Sequence, residues 1–238
     1  MQKTIGLIGG MSWESTAVYY KEINELIRQR YGLLRSADVL MHSVNFETVI
    51  EFQKSGRWDK AADYLAGIGR GLAGAGADCI LICTNTMHLV AGQVAAAVDV
   101  PLIHIVDVTA EALLKAGIRR PLLLATRYTM EQDFYLGRMR ERYGLNPMVP
   151  DAADREVVHE VIFDELCGGI VSESSRQAYL DIIERGRQQG ADAVILGCTE
   201  IGLLIEPQHT RLPQFDSTKL HAQAAVDFAC GTALALTA

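Results

Sequence analysis

Apolar residues along this chain fall into short continuous runs, separated by longer stretches in which they recur every three to four positions. The runs at 4–8, 39–44, 79–83 and 102–105 predict strands, and the periodic stretches at 13–30, 59–74, 88–97 and 107–115 predict helices. After Gly117 a second series begins. Strands are expected at 121–125, 146–149, 193–197 and 212–215, and helices at 130–143, 155–166, 174–188 and 220–236. Strands that alternate with helices and are apolar throughout belong to a mostly parallel sheet covered on both faces.

One segment occurs twice. Gly76-Ala77-Asp78 leads through an apolar strand to Cys83-Thr84, and Gly190-Ala191-Asp192 leads through another to Gly197-Cys198. Two parallel strands resemble one another by composition alone, but the shared Gly-Ala-Asp opening does not follow from composition. A repeat longer than 100 residues means two related lobes rather than a solenoid. The expected fold is therefore α/β: two similar lobes, each a mostly parallel sheet flanked by helices, related by a pseudo-two-fold axis with the active site between them. The second lobe begins near residue 116, and the last helix, 220–236, is strongly apolar and must be buried.

Ligands of open parallel sheets bind beyond the carboxyl ends of the strands. Small and polar residues stand there in this chain: Gly9-Gly10-Met11-Ser12, Thr84-Asn85-Thr86, Thr126-Arg127-Tyr128-Thr129 and Cys198-Thr199-Glu200. Each set opens a turn or helix whose free N–H groups can receive an anion. The first turn lacks the full dinucleotide fingerprint, and no phosphate-loop lysine is present, so a small carboxylate fits better than a nucleotide.

Composition narrows the field. The chain has 238 residues and a net charge of −7, which argues against nucleic acid or an anionic membrane as partner. No apolar stretch reaches the ~20 residues that span a bilayer. Five widely spaced cysteines without a CxxC pair predict free thiols in a cytoplasmic protein and no metal site.

A thiol is the best nucleophile or base on offer once its thiolate is stabilised. Cys198 stands at a strand end among N–H groups and is expected to be stabilised in that way, whereas Cys79 and Cys230 read as small core hydrophobes. His88 and His209 are candidate helpers. The repeat sets the register: eight residues after Gly190 is Cys198, and eight after Gly76 is Thr84, with Cys83 matching Gly197. Under two-fold symmetry Thr84 and Cys198 face each other, and two facing acid/base groups can take a proton from one side of a carbon and return one to the other.

The stretches Ile8-Gly9-Gly10-Met11-Ser12, Cys83-Thr84-Asn85-Thr86-Met87-His88 and Gly197-Cys198-Thr199-Glu200-Ile201 resemble the aspartate/glutamate racemase family, the cofactor-independent amino-acid racemases. The stretches 11–16 and 126–133 are similar to those of its bacterial broad-specificity and L-aspartate/glutamate-specific subgroup. The resemblance implies racemisation of free amino acids by α-proton abstraction and return, without cofactor or metal, in a homodimer. It also implies that the C-terminal helix packs back on lobe one, which then takes 1–115 plus 214–238, with lobe two at 116–213. The family pattern has a cysteine in each lobe. Here the second is Cys198, and Thr84 replaces the first, one residue after Cys83. Members also carry basic residues near Gln53 and Cys167 that hold an acidic side chain. Neither position is basic here, which implies a permissive or neutral pocket, open to homoserine and other uncharged amino acids as well as acidic ones. Thr84 and Cys198 are the implied catalytic pair, with the neighbouring Cys83 as the alternative to Thr84 in the first lobe. Met11, Gln53, Asn85, Thr86, Cys167, Thr199 and Glu200 are the implied substrate contacts, with Glu200 orienting a donor or receiving the ammonium. Two alternatives stand beside this one: another cysteine-dependent enzyme on the same fold, such as a maleate isomerase or decarboxylase, and a non-enzymatic small-metabolite binder.

Overall fold

The structure is a computed structural model that describes residues 2–232. The chain divides into two compact units, one of residues 1–104 and 221–238, the other of residues 105–220.

The first unit runs β1 (Ile5–Gly9), α1 (Trp13–Tyr31), β2 (Val39–Ser43), α2 (Phe46–Lys54), α3 (Trp58–Gly74), β3 (Cys79–Ile82), a 3₁₀ turn (Thr86–Val90) and α4 (Ala91–Ala96). Its sheet has the order β2-β1-β3, all parallel, with Ile8 beside both His42 and Ile82. The strand expected at 102–105 is reduced to a parallel bridge between Leu102 and Ile80, because Ile105 already opens a helix. β1 and β3 are buried on both faces, as their unbroken apolar character requires.

The second unit runs α5 (Ile105–Lys115), β4 (Pro121–Leu124), α6 (Arg127–Glu131), α7 (Asp133–Tyr143), α8 (Ala152–Glu160), α9 (Glu173–Gln188), β5 (Ala193–Leu196), α10 (Ile201–Leu204) and β6 (Gln214–Asp216). Helix α11 (Ser217–Ala229) starts here and continues into the first unit. The sheet order is β4-β5-β6, again parallel. The expected strand at 146–149 is one bridge, Met148 to Leu122.

The unit boundary differs from the expected one by one helix and one strand. Ile105, Val106, Ala110 and Leu113 of α5 are fully buried in the same apolar cluster as Leu122 and Val194, and β6 pairs with β5. Both elements therefore belong to the second unit. The predicted helix to 236 ends at Ala229 within the described residues, and positions 233–236 lie outside them.

The Gly-Ala-Asp repeat has one physical cause in both units. Gly76 and Gly190 have φ of 104° and 95°, a conformation that favours glycine, and each turns the chain out of a helix. The following alanine N–H returns to the helix, Ala77 to the Leu72 carbonyl at 3.0 Å and Ala191 to Gly186 at 2.9 Å. The aspartate then accepts backbone N–H groups just ahead of the neighbouring strand. Asp78 accepts from Thr4 at 2.7 Å, and Asp192 from Arg119 at 2.7 Å and Arg120 at 2.9 Å. Helix end, strand start and strand pairing are set together, so the strand ends fall at matching positions in the two units.

Candidate active site

In the first unit, β1 and β3 are neighbours in register, so the turns that follow them lie side by side. After β1 the Gly10 N–H donates to Thr16 Oγ1 at 2.8 Å, and Ser12 caps α1 by accepting from the Ser15 N–H at 3.2 Å. Met11 packs into the core of this unit. After β3, Cys83 is wholly buried, and burial pushes its thiol far above the ordinary value. Cys79 is pushed up to about 12 by the same cause. These two thiols are core groups. Thr84 is the half-buried residue at this strand end, followed by buried Asn85 and Thr86. Gln53, on α2, donates from Nε2 to Met87 Sδ at 3.2 Å, which joins it to the turn after β3.

A histidine cluster that the sequence only hinted at lies behind Thr84. His88 Nδ1 is 2.8 Å from the Thr84 carbonyl, and that nitrogen is therefore the protonated one. The His88 ring stands edge-on to His104 at 4.7 Å and to His221 at 5.6 Å. His221 Nε2 is 2.7 Å from the Ile103 carbonyl and donates to it. Its Nδ1 consequently accepts from Tyr19 Oη at 2.8 Å. Burial first, and His88 second, lower the His221 pKa to about 3, so it stays neutral. His209 has a different place. It caps the 3₁₀ turn Pro207–His209, where its Nδ1 accepts from the Glu206 N–H at 3.1 Å.

In the second unit, Cys198 follows β5 and is half-buried. Its Sγ donates to Glu200 Oε2 at 2.8 Å. Thr199 Oγ1 donates to the same oxygen at 2.6 Å. Glu200 is 6 % exposed. Cys167, in the 3₁₀ turn Leu166–Gly168, packs against the same apolar cluster as Cys198. A stabilised thiolate was expected at Cys198, and the structure reverses this. Burial foremost, then the charge and hydrogen bond of Glu200, push the thiol well above its ordinary value, and Cys167 adds to the rise. The Glu200 backbone N–H opposes them and is outweighed. The contact with Glu200 therefore favours the thiol form of Cys198 over its thiolate.

Among the described residues no group of three or more His, Cys, Asp or Glu is arranged to hold a metal ion. No described helix is long and apolar enough to cross a membrane.

Residues 8–225 match the family described as Asp/Glu/Hydantoin racemase. The chain belongs to this family. The racemase is 47% identical to a Yersinia pestis protein assigned as an Asp/Glu racemase, over 96% of this chain and 99% of that one, with a TM-score of 0.92. It is 35% identical to an aspartate racemase homologue from Pyrococcus horikoshii OT3, over 97% and 100% of the two chains, with a TM-score of 0.86. It is also 21% identical to the broad specificity amino-acid racemase RacX of Bacillus subtilis (strain 168), over 93% of this chain and 96% of that one. The two-unit α/β architecture is that of the family, and the chain is an amino-acid racemase of the cofactor-independent kind. Within this racemase, Thr84, Asn85, Thr86, Gln53 and Met11 gather in the first unit, and Cys198, Thr199, Glu200 and Cys167 in the second.

Proposed function

We propose that this racemase inverts free amino acids with unequal acid/base groups, Cys198 serving one face of the α-carbon and Thr84 the other. One observation carries the proposal. The half-buried thiol at the end of β5 and the half-buried hydroxyl at the end of β3 occupy equivalent positions of an internal repeat, while Cys83 is sealed in the core. Asn85, Thr86 and Thr199 hold the α-carboxylate, and Met11 shapes the wall. No cofactor carries the negative charge that develops on the α-carbon, so preorganised donors must do so. A threonine hydroxyl is a far weaker base than a thiol, and the two directions run at different rates. Incubation of each enantiomer in D₂O, followed by NMR at the α-position, tests this. Wash-in from both enantiomers, faster from one, is expected, and wash-in from neither would sink it.

The substrate range is broad and favours neutral side chains. Gln53 offers an amide and Cys167 a thiol, and neither neutralises a carboxylate. The broad specificity of RacX, which aligns along nearly its whole length, supports the same reading. Homoserine should be turned over more efficiently than aspartate. Gln53→Arg should raise kcat/KM for aspartate relative to homoserine by about tenfold, the ~1.4 kcal/mol of one new charge-assisted contact. Chiral chromatography of both reactions measures it, and an unchanged ratio would remove Gln53 from the pocket. The enzyme is proposed to act as a homodimer, which light scattering at working concentration checks.

A further inference from the structure

We infer that Glu200 is the proton acceptor of Cys198: its carboxylate takes the thiol proton when the thiolate is needed, and in the reverse direction a protonated Glu200 re-protonates the sulfur. The inference rests on the proposed role of Cys198, and it gives Glu200 a task other than receiving the substrate ammonium.

Three observations carry it. First, the Sγ–Oε2 distance of 2.8 Å is a direct hydrogen bond, so a proton can move between the two atoms with no intervening group. Second, Oε2 accepts from Cys198 and from Thr199 at 2.6 Å, and acting as acceptor towards two donors is the role of an ionised carboxylate. Third, Glu200 is buried while Cys198 is half-buried. The thiol residue keeps part of its surface accessible, whereas the glutamate keeps almost none. A thiol that neighbouring charge holds protonated is a poor base on its own. Some group must accept its proton within the bound complex, and Glu200 is in contact with it.

The proton balance is simple. As substrate binds, the S–H bond breaks, its electron pair stays on sulfur, and the proton joins Glu200 Oε2. The thiolate then takes the α-proton, and the C–H electron pair remains on the substrate as the carbanion. The carbanion receives a proton on its other face from the Thr84 side, and as product leaves Glu200 loses its proton and the Thr84 side regains one by exchange with solvent water. The opposite direction is the reverse of these steps: Cys198 gives its proton to the carbanion, and Glu200, protonated at that stage, passes its proton to sulfur. No oxidant, reductant or further reactant is involved.

Two measurements with opposite signs test the assignment in Glu200→Gln. The first is alkylation of Cys198 by iodoacetamide in the free enzyme, followed by peptide mass spectrometry so that the other cysteines do not interfere. Removal of the carboxylate charge should lower the pH midpoint of alkylation by about one unit. The second is α-hydrogen exchange from the enantiomer that Cys198 serves, which should fall by about 100-fold. A more reactive thiol in a slower enzyme is not what disruption of the site would produce. In the native enzyme, exchange should already be on its plateau near neutral pH, well below the alkylation midpoint, because the proton passes to Glu200 rather than to bulk base.

Exchange that is unchanged or faster in Glu200→Gln would overturn the assignment, and so would a native rate that tracks the alkylation curve. Glu200→Asp keeps the charge and serves even where the amide variant does not fold. Its exchange should lie within about tenfold of native. An alkylation midpoint as in native enzyme with exchange as low as in Cys198→Ala would overturn the assignment. Cys198→Ala separates the two levels of inference: full exchange in that variant removes Cys198 itself, whereas lost exchange there with native exchange in Glu200→Gln removes only Glu200.

Discussion

Cys198→Ala should fold normally and lose racemisation by about 10³-fold, within the range that a single general acid/base supplies. The fold is expected to hold because the thiol is only half-buried and sits after the strand, outside the ladder of β5 with β4 and β6. The Thr199–Glu200 hydrogen bond of 2.6 Å does not depend on Sγ and keeps the buried carboxylate partnered. What is lost is chemistry. Without Sγ the α-proton has no thiolate to take it at this strand end. Cys83→Ala is the matched control. Cys83 is fully buried and its thiol is held protonated, so its loss should cost about 1 kcal/mol of stability, an ordinary single-site effect, and leave kcat near native. Exchange of the α-hydrogen in D₂O gives the rate, and thermal unfolding by circular dichroism gives the stability. An active Cys198→Ala, or an inactive but stable Cys83→Ala, would place the chemistry elsewhere.

The pH behaviour expected of the free Cys198 thiol has a definite sign. Its pKa is raised by burial and by Glu200, so thiol-specific reagents should react slowly at neutral pH and faster as pH rises. Faster alkylation of Cys198 than of a free thiol peptide at neutral pH would contradict this.

The parts of the molecule legible in the sequence are those governed by local pattern. Residues 79–83 and 193–197 are apolar without a break, and the strands they form, β3 and β5, are buried along their whole length. The repeat register singled out Thr84 rather than Cys83, and burial separates the same two residues: one is half-buried at the strand end and the other sealed in the core. Tertiary context hid the rest. Helix α2 is absent from the predicted elements, because at 9 residues it is too short for its period to stand out. The Asn45 side chain accepts from the Glu47 N–H at 3.1 Å and opens the helix. The single periodic stretch at 130–143 is two helices, since Gln132 adopts an extended ψ of 145°. The stretch at 155–166 passes from α8 into a π-helical turn, Val161–Glu165, and then into the 3₁₀ turn that carries Cys167. Periodicity near 3.6 cannot distinguish these. At Cys198 the sequence revealed the strand end and its N–H groups. It did not reveal that Glu200, two residues on, would fold back against the thiol and outweigh them. His221 is 133 positions from His88 along the chain, and only folding puts the two rings 5.6 Å apart.

Gly10→Ala should destabilise the first unit by about 3 kcal/mol, with a fall in Tm of about 6–12 °C for a domain of this size class. Two costs combine. The φ of 88° lies where a side chain is strained, which accounts for about 1–2 kcal/mol. A Cβ would also stand 2.3 Å from the Val44 carbonyl oxygen and 2.4 Å from its nitrogen. These are backbone atoms that close the end of the β1–β2 ladder, where the Val44 N–H donates to the Gly9 carbonyl at 3.0 Å. They cannot move aside as a side-chain tip would, so relief must come from parting the strands. Gly56→Ala isolates the first cost, since Gly56 has a φ of 67° but nothing within 4 Å of its added Cβ. It should lose only the strain, about 1 kcal/mol. Calorimetric melting of both variants decides the matter. Equal losses would mean that the β1 turn tolerates the added atom and that its glycine serves conformation alone. A loss several-fold larger at Gly10 would mean that close backbone packing fixes the turn ahead of Met11, and with it the floor of the half-site that Thr84 shares.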